Sequence, residues 1–225
     1  MSKDLEGTAV IFDLDGTLVD TADDLAVSMN HALEVMGFAP VERRAVRHLV
    51  GRGGRAMLAR GIEISAGRPT QKSEIETGLT AFLEHYAGHI AIHSRPFAGA
   101  VELIERLRAR GAKTAICTNK RERLSRLLIE SLGIAAHFDA IVGADTTAAA
   151  KPEPAPVRAC MDKCAADRGI FVGDSDTDIL AARAAGLACL IADFGYGPLA
   201  MRKDAAARFS GYDAVEDLID RALKA

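Results

Sequence analysis

No stretch of the 225-residue chain is long and apolar enough to span a bilayer as a helix. The N-terminal residues Met1 to Gly7 are polar and acidic rather than a targeting segment, so the reading is a soluble, cytoplasmic protein with no membrane partner. Basic charge is not in excess either. Lys and Arg total 28 against 31 Asp and Glu, for a formal net charge of −3, which argues against wholesale nucleic-acid binding. Cysteine is scarce, at four. Cys117 and Cys189 lie in apolar strand-like runs, and Cys160 and Cys164 share a helix face with Val157 and Met161; with no His or Cys cluster nearby, all four read as reduced core thiols. The six histidines show no metal-ligand spacing. His85 and His89 are four apart, but they lack an intervening Glu base and a third ligand, and read as a partly exposed helix face. There is no internal repeat and no low-complexity tract.

What is present is a long alternation. Apolar strand candidates are Thr8–Phe12, Lys113–Cys117, Ala140–Val142, Ile170–Val172 and Ala188–Ile191. Helical patterns over Ala100–Arg110, Arg121–Leu132, Pro154–Ala166 and Asp178–Ala185 separate most of them, with Gly111, Gly133 and Gly186 where helix stops belong. That alternation predicts an α/β fold: a Rossmann-like parallel sheet with helices on both faces, binding its ligand beyond the carboxyl ends of the strands. The first two strands are about a hundred residues apart, far more than a crossover needs. Helical patterns fill the gap at Thr21–Gly37, Val41–Val50, Gly54–Arg60 and Pro69–Ile90, with Thr21 and Asp24 marking a helix start. The expected organisation is therefore a core of residues 1–19 and 95–225, and an all-helical insertion of residues 20–94 after the first strand, hinged near Asp20 and near His93–Pro96.

The most informative residues follow the first strand, in the run Asp13-Leu14-Asp15-Gly16-Thr17. Acids at i and i+2 point the same way if strand geometry continues. Two like charges that close need a cation or a shared proton. Gly16 then lets the backbone turn sharply. Such a pair suits a carboxylate nucleophile beside a proton-moving carboxylate, held by a divalent metal.

Three other segments stand at strand ends. Cys117-Thr118-Asn119-Lys120 offers a hydroxyl and backbone N–H groups to phosphate oxygens, or is a plain helix cap. Thr146–Ala150 reads as a loop leading into Lys151, and the prolines of Lys151-Pro152-Glu153-Pro154 stiffen the approach and direct the lysine. Phe171-Val172-Gly173-Asp174-Ser175-Asp176-Thr177-Asp178 places three acids in five residues after an apolar strand. It reads either as a helix start favoured by the dipole or as a hard-oxygen site of the kind that selects magnesium.

Together these segments resemble the four motifs of the haloacid-dehalogenase-like phosphohydrolase superfamily, in the right order, and Ile179 to Gly186 is similar to its phosphoglycolate-phosphatase-like branch. The resemblance spans nearly the whole chain. It implies Asp13 as nucleophile, Asp15 as general acid and base, and Lys151 as the third catalytic residue. It implies Mg2+ held by Asp13, the Asp15 backbone carbonyl and Asp174, with Asp178 orienting the site from behind. Thr118 and Asn119 would bind the phosphoryl oxygens, Thr17 would hold the proton-moving acid by a hydrogen bond, and Gly16 and Gly173 would support the site. Relatives often have Asn just before the last acid; Thr177 stands there here.

The helical insertion resembles the superfamily's smaller cap, a lid that excludes water and selects small metabolites. Leu49-Val50-Gly51-Arg52-Gly53-Gly54 is similar to its substrate loop, so that Arg52 or Arg55 would pair with a substrate carboxylate. The leading expectation is a magnesium-dependent phosphomonoesterase converting 2-phosphoglycolate to glycolate and phosphate, as a monomer or homodimer. The alternatives are a phosphatase for sugar phosphates, nucleoside monophosphates or pyrophosphate, a phosphomutase, and a non-catalytic binding module. Asp15 argues against dehalogenation. Lys72, the only lysine between Asp20 and Arg95, sits in too polar a setting for the Schiff base of a phosphonate hydrolase.

Overall fold

The computed structural model describes residues 4–51, 53–196 and 199–224. Its centre is a six-stranded sheet of β1 (Thr8–Phe12), β4 (Lys113–Cys117), β5 (Ala140–Val142), β6 (Arg168–Gly173), β7 (Ala188–Ala192) and β8 (Ala207–Phe209). The order across the sheet is β5-β4-β1-β6-β7-β8, and every neighbouring pair is parallel. β1 is central and all five of its residues are buried, as expected of a strand covered on both faces.

Side-chain alternation assigns the helices to the two faces. Ala9 and Ile11 of β1 join Ala115, Cys117, Phe171 and Ile191 under α7 (Ala155–Cys164) and α8 (Asp176–Ala184). Val10 and Phe12 point the other way, to α5 (Ala100–Ala109), α6 (Glu122–Ser131) and α9 (Val215–Ala222). Each fully buried Ile or Phe contributes about 1.5–3 kcal/mol. A polar residue at either set of positions would therefore disrupt one layer. The four cysteines are buried and unpaired, as expected. No helix among the described residues is long and apolar enough to cross a membrane.

The expected strands are present, with β6 longer at both ends. The sequence pattern gave no warning of β8 or α9: β8 is a three-residue edge strand, and residues 215–222 follow no strand candidate. Between β1 and α5 stand, among the described residues, four helices, α1 (Ala22–Val35), α2 (Arg43–Arg47), α3 (Gly54–Ala66) and α4 (Lys72–Gly88). They share the core on the Phe12 face through residues such as Leu33, Leu58 and Phe82. A two-residue antiparallel ladder of β2 (Val19–Asp20) and β3 (Arg95–Pro96) closes the base of this insertion. Thr21 precedes α1 but makes no side-chain cap. Asp24, expected in that cap, is buried instead, and accepts the N–H groups of His93 and Ser94 and the Ser94 hydroxyl at 2.6–3.0 Å. The acid ties the two hinges together, a long-range role that local spacing does not reveal.

Candidate active site

The site forms at the carboxyl end of the sheet. Asp13 is the first residue past β1. Its N–H still donates to Val172 O at 2.8 Å, so the β1–β6 ladder sets its position. The strand then stops. Leu14 N–H bonds the Asp13 Oδ1 at 2.7 Å, and Gly16, at φ +86°, turns the chain back so that its N–H meets Val19 O. Asp13 and Asp15 both line one cavity, but each has its own cation. Lys151 Nζ lies 2.9 Å from Asp13 Oδ1, and Lys120 Nζ lies 2.8 Å from Asp15 Oδ1.

Behind Asp13 lie Asp174 and Asp178, and the three carboxylates come within 4.8 Å of one another. Both oxygens of Asp178 are occupied. Oδ1 accepts Lys151 at 2.6 Å, and Oδ2 accepts Asp174 N–H, Ser175 N–H and the Ser175 hydroxyl at 2.7–3.1 Å. Ser175 and Asp178 form the capping box of α8, so the helix start and the placement of Lys151 share one carboxylate. Gly173 is required here, because a Cβ would fall 2.5 Å from the Asp178 side chain. Asp174 accepts the Thr17 hydroxyl at 3.1 Å and Tyr196 N–H at 3.0 Å. Gly16 and Gly195 crowd it, since a Cβ would lie 2.6 Å or 2.3 Å from its carboxylate oxygen.

This cluster holds three carboxylates against one ammonium, all buried. The excess shows in the acidities. Burial, with Asp178 and Asp15 adding to it, pushes the Asp13 carboxyl up to about 7 despite Lys151. Burial, then Asp178 and Asp13, pushes Asp174 well above the ordinary carboxylate range. Burial alone would lower Lys151, but Asp13 and Asp178 hold it above the usual lysine range. Asp15 is separate. It accepts the Thr21 hydroxyl at 2.6 Å in addition to Lys120. Thr17, expected to hold the proton-moving acid, holds Asp174 instead, and Thr21 takes Asp15.

The cavity beyond these acids has a volume of about 310 Å³. Thr118, Asn119 and Lys120 form one wall, and the insertion supplies an apolar wall that includes Leu25, Met57 and Phe82. Thr118 Oγ1 accepts Lys120 N–H at 3.1 Å, so its own proton can be donated into the cavity. Asn119 Nδ2 bridges Gly51 O and Lys151 O, while its buried Oδ1 has no hydrogen-bond partner among the described residues. Arg55 lines the cavity, but its guanidinium makes a bidentate pair with Glu76 at 2.5 and 3.1 Å. Arg52 lies outside the described residues. The sequence named Lys120 without a role, gave Thr21 only a place at a helix start, and did not single out Tyr86. A lysine following a strand reads as solvated, and only the tertiary fold buries it. The Tyr196 hydroxyl accepts Thr21 N–H and donates to Asp20.

The haloacid dehalogenase-like hydrolase family matches the chain over residues 10–192. A phosphoglycolate phosphatase of Mesorhizobium japonicum is 41% identical over 220 residues, covering 96% of each chain. One from Caulobacter vibrioides is 40% identical over 195 residues, 86% of this chain and 82% of that protein. Among solved structures, a predicted phosphoglycolate phosphatase from Haemophilus somnus superposes with a TM-score of 0.87 at 26% identity, over 97% of this chain and 99% of that one.

Proposed function

The chain belongs to the haloacid dehalogenase-like hydrolase family and is a phosphatase, and we propose that it hydrolyses 2-phosphoglycolate to glycolate and phosphate through an aspartyl-phosphate on Asp13, with magnesium as cofactor. The buried cluster Asp13, Asp174, Asp178 and Lys151 carries this reading, because two uncompensated negative charges among hard oxygen donors suit a divalent cation. Asp13, Asp174 and the Asp15 backbone carbonyl are the groups to hold it. Asp178, with both oxygens engaged, positions Lys151 instead. When bound, the metal supplies charge neutralisation at the nucleophile and phosphoryl group.

The remaining chemistry belongs to the side chains. Asp13 attacks phosphorus as the ester P–O bond breaks. Asp15 donates a proton to the departing alkoxide, then takes one from the water that cleaves the acyl phosphate. Lys151 and the Thr118 hydroxyl offset charge on the phosphoryl oxygens. Residues 20–94 serve as a cap over a core of residues 1–19 and 95–225, and their apolar wall keeps bulk water from the acyl phosphate. A cavity of about 310 Å³ suits a small phosphate ester, and the proposed location of the enzyme is the cytoplasm.

The test is phosphate release from 2-phosphoglycolate, sugar phosphates, nucleoside monophosphates and pyrophosphate, with magnesium or with chelator. Magnesium-dependent turnover of 2-phosphoglycolate, abolished in Asp13→Asn, is expected. Preferred turnover of another ester overturns the substrate and keeps the chemistry; turnover retained in Asp13→Asn or in chelator overturns the mechanism.

A further inference from the structure

Four cations among the described residues line the cavity: Arg55, Lys120, Arg121 and Lys151. Lys151 is committed to Asp13 and Asp178. Arg121 is exposed, and Arg55 is exposed and paired to Glu76. Lys120 differs from all three. It is 8% exposed, it faces the cavity, and it lies outside the nucleophile's cluster.

An ammonium has three protons to donate. Asp15 takes one at 2.8 Å and the Tyr86 hydroxyl takes another at 3.1 Å, while the Tyr86 ring lies 4.7 Å from the nitrogen. A third remains for a ligand. Tyr86 is itself buried, on α4 of the insertion, so this contact spans core and insertion. Among the described residues, the wall opposite is apolar apart from Arg55, whose charge Glu76 already matches.

We propose that Lys120, backed by Tyr86, is the specificity-determining residue that binds a carboxylate on the carbon bearing the phosphoester. The geometry is that of the leaving group. Asp15 must reach the ester oxygen, and Lys120 sits against Asp15. A carboxylate two bonds from that oxygen therefore falls beside the same ammonium. The substrate class is the phosphorylated 2-hydroxy acid. This inference rests on the reading of the site as a phosphoester hydrolase.

The experiment compares kcat/KM for 2-phosphoglycolate with that for ethyl phosphate, which lacks the carboxylate, in the full-length protein with magnesium. Lys120→Met, Lys120→Arg and Tyr86→Phe are measured alongside. Both esters share whatever Asp15 loses with its partner, so the ratio of the two reads the substrate contact. The ratio is expected to fall about 100-fold in Lys120→Met, mostly through KM, to recover in part in Lys120→Arg, and to fall several-fold in Tyr86→Phe, which keeps the ring packing. An unchanged ratio in Lys120→Met, or in Tyr86→Phe and Lys120→Arg should the methionine variant not fold, overturns the inference and leaves the phosphatase reading standing. Failure of the wild type to release phosphate from either ester removes the 2-phosphoglycolate reading, and this inference with it.

Discussion

The hydroxyl of Tyr196 accepts the backbone N–H of Thr21 at 2.6 Å, at the first turn of the helical insertion. The same hydroxyl meets Ala22 N–H at 3.2 Å and donates to Asp20 Oδ1 at 2.6 Å, while Tyr196 N–H holds Asp174. One residue thus connects the hinge to the acid cluster, and substitutes for the side-chain cap that Thr21 does not make.

Tyr196→Phe removes only that oxygen. It leaves the buried Thr21 N–H without its partner and removes one contact of the half-exposed Asp20 carboxylate, which Arg47 still pairs. A loss of about 1–3 kcal/mol in urea unfolding is expected, together with reduced kcat. A variant as stable as the wild type would show that water replaces the phenol at the hinge.

Lys151→Met should lower kcat by about 1,000-fold or more, since in the proposed mechanism the buried cation offsets nucleophile and phosphoryl charge. It leaves Asp13 and Asp178 without their shared ammonium, and a destabilisation of about 3–5 kcal/mol is expected. Thermal denaturation with and without magnesium checks the electrostatic origin: the metal should recover more stability in the variant than in the wild type.

Metal binding should release protons near neutral pH. Asp13 ionises at about 7 in the metal-free fold against 3.8 for the free side chain. Between these values the folded state retains a proton that the unfolded state has lost. The contribution of Asp13 to stability therefore falls as pH rises from about 4 to about 7. Magnesium, which needs the carboxylate, reverses this, and titration calorimetry at pH 6 in buffers of different ionisation enthalpy should show up to roughly one proton released per site. In Asp13→Asn the release should shrink; an undiminished release would assign it to Asp174.

Gly195→Ala should weaken magnesium binding by about tenfold or more, because the added methyl falls 2.3 Å from the Asp174 carboxylate oxygen. Gly211→Ala, where nothing lies within 4 Å of the added carbon, is the control and should bind normally. Calorimetry on both variants decides; equal affinities would mean that the Gly195 backbone yields without moving Asp174.

Five of the six sheet strands were legible because buried parallel strands are continuous apolar runs, and β1 shows the same five residues in both readings. The acids were legible as well, since Asp13, Asp174 and Asp178 follow strands that must end on one edge of a parallel sheet. The partners of those acids were not. Thr17 and Thr21 lie four residues apart on the same turn, and which hydroxyl reaches Asp15 and which reaches Asp174 depends on how Gly16 reverses the chain.

The sequence by itself determined the layered α/β architecture and the order of the acid-bearing segments at the strand ends. Both depend on local periodicity and on order along the chain. Only the tertiary structure decided that Lys120 is buried between Asp15 and Tyr86, that Arg55 is engaged by Glu76, and that Tyr196 joins the hinge to Asp174. Those pairs bring together residues 21 to 175 positions apart, and a charge whose partner lies so far along the chain looks solvated until the fold removes the water.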